Sequence, residues 1–304
     1  MDQRHSGSRW VPAIALALMS LGTEPVTAQA QSPDFVPVTD AMLQNPAPAD
    51  WLMWRRTLDG WGYSPLDQIN RENVGELQMV WSRALTRGSN QGTPLVYDGV
   101  MYMPNPGDVI QAIDAVSGDL QWEYRREHPE DLGEHIVAVL SQINRNIAIH
   151  DTLIIDTSAD DYVFALEATS GRLVWETQIL DYKTLPAHQS SGPIIADGKI
   201  ISGRGCMPEA GPNACVITAH DATTGEELWR RRTIPAPGEP GDETWGGVPF
   251  EERRHVGAWM VPSYDPTLNL IYIGTSVTSP APKFLVGGVT NKHLYHNSTL
   301  AIDA

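Results

Sequence analysis

Ala112-Ile113-Asp114-Ala115-Val116-Ser117-Gly118, followed by Trp122, is the stretch on which the reading of this chain turns. It recurs as Ala165-Leu166-Glu167-Ala168-Thr169-Ser170-Gly171 with Trp175, and as Ala219-His220-Asp221-Ala222-Thr223-Thr224-Gly225 with Trp229. In each copy an acid stands four residues before the glycine and the tryptophan four after it. A fourth copy opens at Ala301-Ile302-Asp303-Ala304. Self-similarity at a fixed period marks a repeat architecture, in which one unit buries its apolar face against the next.

The flanks supply the rest of the unit. Pro94–Met103 reads as two strands about the turn Asp98-Gly99, and Pro193–Ile201 repeats it about Asp197-Gly198. His150-Asp151 takes that turn in the second unit and Pro266–Asn269 in the last. Each unit is thus strand, turn, strand, a strand ending in Ala-x-Asp, a Ser/Thr-Gly turn, and an outer strand bearing Trp. Four antiparallel strands per unit make a propeller blade, so the expected fold class is all-β. The tryptophans read as apolar anchors between neighbouring blades. From Asp114 to Glu167 is 53 residues and from Glu167 to Asp221 is 54, but from Asp221 to Asp303 is 82. The last unit therefore carries an insertion, placed at Pro235–Val256 and expected on a binding face.

Composition agrees with this and excludes other classes. The chain has 304 residues, 21 Lys+Arg against 37 Asp+Glu, and a net charge of -16, which argues against nucleic acid as a partner. With 26 Gly and 23 Pro, short elements joined by turns are favoured over long helices. Residues 1–30 read as a secretory signal, with Arg4 and Arg9 before the apolar run Val11–Leu21 and Ala28-Gln29-Ala30 as the cleavage site. No later run reaches the length of a membrane span. Residues 31–304 are then one exported propeller domain, expected in the periplasm. In that oxidising space Cys206 and Cys215, the two cysteines of the chain, are expected to form one local disulfide.

The repeat Ala-x-Asp-x-x-[Ser/Thr]-Gly-x-x-x-Trp resembles the tryptophan-docking repeat of quinoproteins that use pyrroloquinoline quinone (PQQ). Trp61-Gly62-Tyr63-Ser64-Pro65-Leu66-Asp67-Gln68-Ile69-Asn70, with Asn73-Val74 and Trp81, is similar to the opening segment of methanol and ethanol dehydrogenases. Tyr264-Asp265-Pro266, with Asn269-Leu270-Ile271-Tyr272 and Gly274-Thr275, resembles another segment of that branch. The resemblance runs from about Trp51 to Ala304 and implies an eight-bladed ring, of which this chain is about half. It further implies PQQ near the axis, a calcium ion, an alcohol substrate and a separate electron acceptor such as a cytochrome c or a quinone.

The resemblance also carries roles to positions. Trp259 takes the place of the tryptophan under the quinone, the alternative being one more docking tryptophan. Arg145 matches an arginine near the quinone oxygens, against a surface ion pair. Ser190 stands for a hydroxyl on a PQQ carboxylate, and Gln91 for a glutamate beside the cofactor. Gly203-Arg204-Gly205-Cys206 occupies the loop leading to the calcium-binding glutamate, so Gly205 and Cys206 are cofactor candidates and Glu209 the metal candidate. Such residue types suit the chemistry: an aromatic floor for a flat ring, a bidentate arginine for carboxylates, hard oxygens for calcium.

The chain also departs from the pattern. Val139 and Leu140 stand where the dehydrogenases have adjacent cysteines, and Val277 replaces a calcium-binding asparagine. Thr290, Asn291, Lys292 and His293 occupy the stretch of the catalytic aspartate, and no Asp or Glu occurs between Asp265 and Asp303. The catalytic base is therefore unassigned, with Lys292 and His293 as the candidates. Two functions stay open: a PQQ-dependent alcohol oxidoreductase, and a propeller of the same ancestry that binds without chemistry. Three blades and part of a fourth cannot close a ring, so the remaining blades are expected from further sequence or a partner chain. Sequencing the coding DNA past Ala304 tests this: an in-frame Thr-Gly-x-x-x-Trp is expected, and a genuine stop codon counts against a longer chain.

Overall fold

The computed structural model describes residues 35–137, 143–278, 284, 288 and 290–304. The expected signal over 1–30 and the Val139-Leu140 position lie outside them. Four antiparallel sheets follow in chain order. The first blade is β1 (Leu95–Tyr97), β2 (Val100–Asn105), β3 (Val109–Asp114) and β4 (Leu120–Arg125), hydrogen-bonded in that order. The second is β5 (Ala148–His150), β6 (Leu153–Thr157), β7 (Tyr162–Glu167) and β8 (Leu173–Gln178). A short ribbon strand β9 (Ala187–His188) precedes the third blade, whose strands are β10 (Ile194–Ala196), β11 (Lys199–Gly203), β13 (Val216–Asp221) and β14 (Glu227–Arg232). β12 (Gly205–Cys206) pairs with β9. The fourth blade has β15 (Ser263–Asp265), β16 (Leu270–Gly274) and β17 (Thr299–Asp303). These are the strand, turn, strand units expected from the repeat. Among the described residues no helix is long and apolar enough to cross a membrane.

Turn chemistry explains the meander. Asp98 and Gly99, at φ 47° and 76°, and Asp197 and Gly198, at 50° and 69°, supply the two left-handed positions of a tight hairpin. In the second blade the turn sits one residue later than the sequence suggested. His150 still pairs with Leu153 in the ladder, and Asp151, at φ 52°, takes the left-handed position, with Thr152 completing the turn. In the third blade the first strand β10 is buried throughout, whereas the outer strand β14 has no buried residue.

The tryptophans act between blades. In the first repeat Asp114 Oδ1 accepts from the amides of Val116 and Ser117 at 2.9 and 2.7 Å, and Gly118 N–H donates to the Asp114 carbonyl at 2.8 Å. Asp221 builds the same turn with Thr223 and Thr224. Each turn delivers its glycine left-handed, at φ 78°, 71° and 77° for Gly118, Gly171 and Gly225. A Cβ there would lie 2.6 Å from Trp81, 2.5 Å from Trp122 and 2.5 Å from Trp175, respectively. The tryptophan of one unit is thus stacked on the glycine of the next. Trp81 Nε1 donates to Ala115 O at 3.2 Å and Trp122 Nε1 to Ala168 O at 2.9 Å, which fixes the direction of each ring. Trp81 belongs to no strand, yet it docks on the first blade as Trp122 docks on the second.

The blade ends differ. Turns between first and second strands lie at one end, where residues from Phe35 onward cross them. Trp51 pairs with Val96, Val38 with Asp151, Gly198 N–H donates to Asp40 Oδ1, and Tyr264 N–H donates to Leu58 O. Segments that enter each first strand and leave each second strand gather at the opposite end. Charged groups bridge the blades there: Arg126 binds Asp160 with both Nε and Nη2, at 2.7 and 2.9 Å. The insertion folds on Trp245, fully buried, which bonds to Leu294 O and lies under the Arg253 guanidinium.

The docking contact gives a direct test. Gly171→Ala puts a Cβ into the Trp122 ring at a left-handed position, and a loss of roughly 2–4 kcal/mol is expected from strain and overpacking. Gly198→Ala, left-handed but facing open space, is expected to cost only about 1 kcal/mol. Urea unfolding of the two variants measures the difference.

Candidate cofactor site

Loops at the end opposite the N-terminal crossing bring three of the sequence candidates together. Arg145, just before β5, reaches across to the third blade, where Nη1 donates to the Ser190 carbonyl at 2.7 Å. Its guanidinium stands over the Trp259 ring, Cζ 5.3 Å from the centroid. Trp259 is held because Ala258 N–H donates to Arg204 O at 2.7 Å, between the glycines of the Gly203–Cys206 loop. The approach is backbone to backbone. A Cβ on Gly203 would lie 2.2 Å from Ala258 O, and one on Gly257 would lie 3.0 Å from the Gly205 Cα. These glycines are needed for want of room, since none of the three has a left-handed φ.

Two histidines join this group. His188 pairs with Gly205 across the β9–β12 ribbon, and its ring covers the glycine so closely that a Cβ would meet it at 2.0 Å. Burial drives the His188 pKa down to about 4, with His255 and Arg145 adding repulsion, so its ring is neutral at neutral pH. His255 Nδ1 lies 2.6 Å from Cys206 O. A carbonyl can only accept, so Nδ1 carries the proton. Burial also lowers the pKa of Arg145, although a guanidinium remains charged. The result is one half-buried cation on an indole face beside a neutral imidazole, an arrangement suited to a flat anionic ligand.

The other candidates stand differently. Ser190 is buried and meets Arg145 through its carbonyl, whereas the resemblance assigned its hydroxyl. Cys206 is bonded to Cys215 with their Cα atoms 4.9 Å apart, which is the disulfide expected from the sequence. Gln91 is exposed and donates to Ser89 Oγ, but its segment lies beside Arg145, because Thr93 N–H donates to Arg145 O at 2.9 Å. Glu209 is exposed on the short turn Pro208–Ala210 and Val277 is exposed as well. Lys292 is exposed, while His293 is fully buried with its ring 5.1 Å from Trp245. Two clefts lie elsewhere: one of about 500 Å³ between Thr57–Asp59 and Ser263–Pro266, and one of about 650 Å³ along β17. Neither is lined by Arg145 or Trp259.

Sequence reasoning missed His188, His255 and a buried ion pair beneath them, Asp161 with Arg204. The readable signal for the pair was an arginine between two glycines at 203–205 and an acidic doublet, Asp160-Asp161, in a hairpin turn.

Comparison with known proteins agrees with this geometry. Residues 51–304 match the family described as the β-propeller domain of PQQ-dependent glucose, ethanol and alcohol dehydrogenases. The dehydrogenase subunit of a quinone alcohol dehydrogenase from Gluconacetobacter polyoxogenes is 34% identical over 253 residues, covering 77% of this chain and 34% of that protein. The 1-butanol dehydrogenase (cytochrome c) of Thauera butanivorans is 36% identical over 209 residues, covering 68% of this chain and 28% of its own length. Among solved structures, the quinohemoprotein alcohol dehydrogenase ADHIIG of Pseudomonas putida superposes with a TM-score of 0.80 at 29% identity, over 89% of this chain and 41% of that one. The chain thus spans well under half the length of these relatives. By its blade repeat and the match over residues 51–304, the chain belongs to the PQQ-dependent alcohol dehydrogenase β-propeller family.

Proposed function

We propose that this chain is the cofactor-holding part of an exported quinoprotein that oxidises an alcohol to an aldehyde or ketone, with PQQ as cofactor. The observation that carries the reading is the Arg145 guanidinium over the Trp259 face, inside a cradle where Gly203, Gly205 and Gly257 leave no room for a Cβ. The donor set fits PQQ, a flat ring system bearing carboxylates. Trp259 offers an aromatic face, Arg145 a fork for a carboxylate or quinone oxygen, and Gln91 an uncharged amide nearby. When bound, PQQ supplies the two-electron acceptor for the alcohol. Neutral His188 leaves Arg145 as the charge that orients the ligand. The names of the relatives support the alcohol class, and that of the Thauera protein supports a cytochrome c as electron acceptor.

Calcium does not fit the side chains assigned to it. Val277 offers no side-chain oxygen, and Glu209 is exposed on its own turn. Of the two candidate bases in the expected stretch, His293 is packed into the insertion against Trp245 and Lys292 is exposed. That packing favours a second reading, a propeller that holds PQQ without turning over.

Two measurements decide. Titrating PQQ into the protein is expected to quench tryptophan emission and produce bound quinone absorbance. Trp259→Ala and Arg145→Gln should each weaken binding about 10- to 100-fold, as loss of a charged hydrogen bond or a stacked ring costs roughly 1.5–3 kcal/mol. Absence of bound quinone removes the proposal. Alcohol-dependent dye reduction by the loaded protein then separates enzyme from binding module.

His188 titrates near 6.5 when unfolded and about 4 when folded. Its depressed pKa means that its contribution is fully present above pH 6.5 and is lost as pH falls toward 4. The melting temperature should fall over that window, and more gently in His188→Gln.

A further inference from the structure

The Trp259 and Arg145 geometry depends on a residue that touches neither. β9 and β12 form a two-stranded ribbon in which His188 faces Gly205. Successive residues of a strand point to opposite faces. His188 and Gly205 therefore share the upper face of the ribbon, while their chain neighbours Gln189 and Arg204 turn beneath it. There both donate to one carboxylate oxygen: Gln189 Nε2 at 3.1 Å and Arg204 Nε at 2.9 Å from Asp161 Oδ1. Asp161 sits in the β6–β7 turn of the second blade and is fully buried, as is Arg204, whose Nη1 also donates to Thr218 Oγ1.

The two clamped segments are the ones that build the site. Immediately after Gln189, the Ser190 carbonyl receives Arg145. The Arg204 carbonyl receives the amide of Ala258, the residue before Trp259. A single buried carboxylate therefore joins, beneath the ribbon's own backbone pairing, the segment that anchors Arg145 and the segment that anchors Trp259. We propose that Asp161 and Arg204 are positioning residues of the cofactor site, fixing the β9–β12 ribbon so that Arg145 lies over Trp259. This rests on the PQQ reading for the identity of the ligand, but the backbone geometry it concerns is independent of any ligand.

Energetics point the same way. Burial raises the pKa of Asp161 and lowers that of Arg204, so each charge only partly compensates the other for lost hydration. Replacing such a pair with apolar groups of similar size is often neutral for stability, whereas removing one partner is strongly destabilising. A pair that adds little stability can still impose one geometry.

The test uses the double variant Asp161→Leu/Arg204→Met in the full chain. Its melting temperature should stay close to the parent, while hydrogen exchange at the Ala258 amide should speed at least 10-fold and the Kd for PQQ should rise at least 10-fold. Asp161→Asn, which keeps the accepting oxygen but leaves the buried Arg204 charge without a counter-ion, should lower the melting temperature while its exchange and Kd stay closer to the parent than those of the double variant. Unchanged exchange and unchanged Kd in the double variant overturn the proposal. If the double variant does not fold, Gln189→Leu, which removes one of the two bonds to Asp161 Oδ1, is measured instead and must shift both readouts in the same direction, its failure to do so counting against the proposal. If the parent itself does not bind PQQ, the cofactor reading fails, and Ala258 exchange alone decides the positioning role.

Discussion

A tryptophan stacked on a glycine of the next unit is the contact from which the rest of this structure follows. It demands three things at once: a left-handed turn, no Cβ at its fourth position, and an outer strand of fixed length between the glycine and the next tryptophan. The motif acid meets the first by accepting the turn amides, as Asp114 and Asp221 do. Glu167 is one methylene longer and bonds instead to Ser170 and Arg172, yet the turn retains its glycine geometry because the Gly171 amide still reaches the Glu167 carbonyl. The contact sits at the periphery, so it sets the angle between blades and thereby where their inner loops meet.

Blade contacts change character from the rim inward. At the rim they are apolar, with indole hydrogen bonds from Trp81 and Trp122. Toward the inner loops they become charged: Arg126 with Asp160 and Arg204 with Asp161. Asp108, His128 and Asp160 lie close enough together to suggest a cation site. Arg126 already engages both oxygens of Asp160, however, and Asp108 accepts from His128 and from the Ala159 amide. That group is a bridge between blades, with the protein's own cation in place. Its role parallels that of Asp161, one blade further on.

These charged bridges bear on function because the site is assembled from loops of different blades. Arg145 enters from the second blade, Ser190 and Gly205 belong to the third, and Trp259 leads into the fourth. Each position is right only if the blades keep their relative angle, so rim docking and inner ion pairs act on the same quantity. The disulfide between Cys206 and Cys215 closes the loop between β12 and β13 and restrains the strand on which Gly205 lies.

The blades are legible in the sequence, because glycine, aspartate and tryptophan at fixed offsets dictate local backbone conformation within a few residues. The hairpin turns at Asp98-Gly99 and Asp197-Gly198, the docking tryptophans and the disulfide followed from that local chemistry. Trp259 and Arg145 could be marked by resemblance, but their meeting could not, since it joins residues 114 positions apart through two intervening carbonyls. Ser190 shows the limit plainly: the resemblance marked its hydroxyl for a PQQ carboxylate, whereas the contact seen in the fold is its carbonyl accepting from Arg145, and backbone groups leave no trace in residue type. Asp161, Gln189 and Arg204 read as ordinary polar loop residues until folding buries them against one another. Conformation along the chain is encoded residue by residue, whereas burial and the pairing of charges depend on which blades become neighbours, and only the folded arrangement decides that.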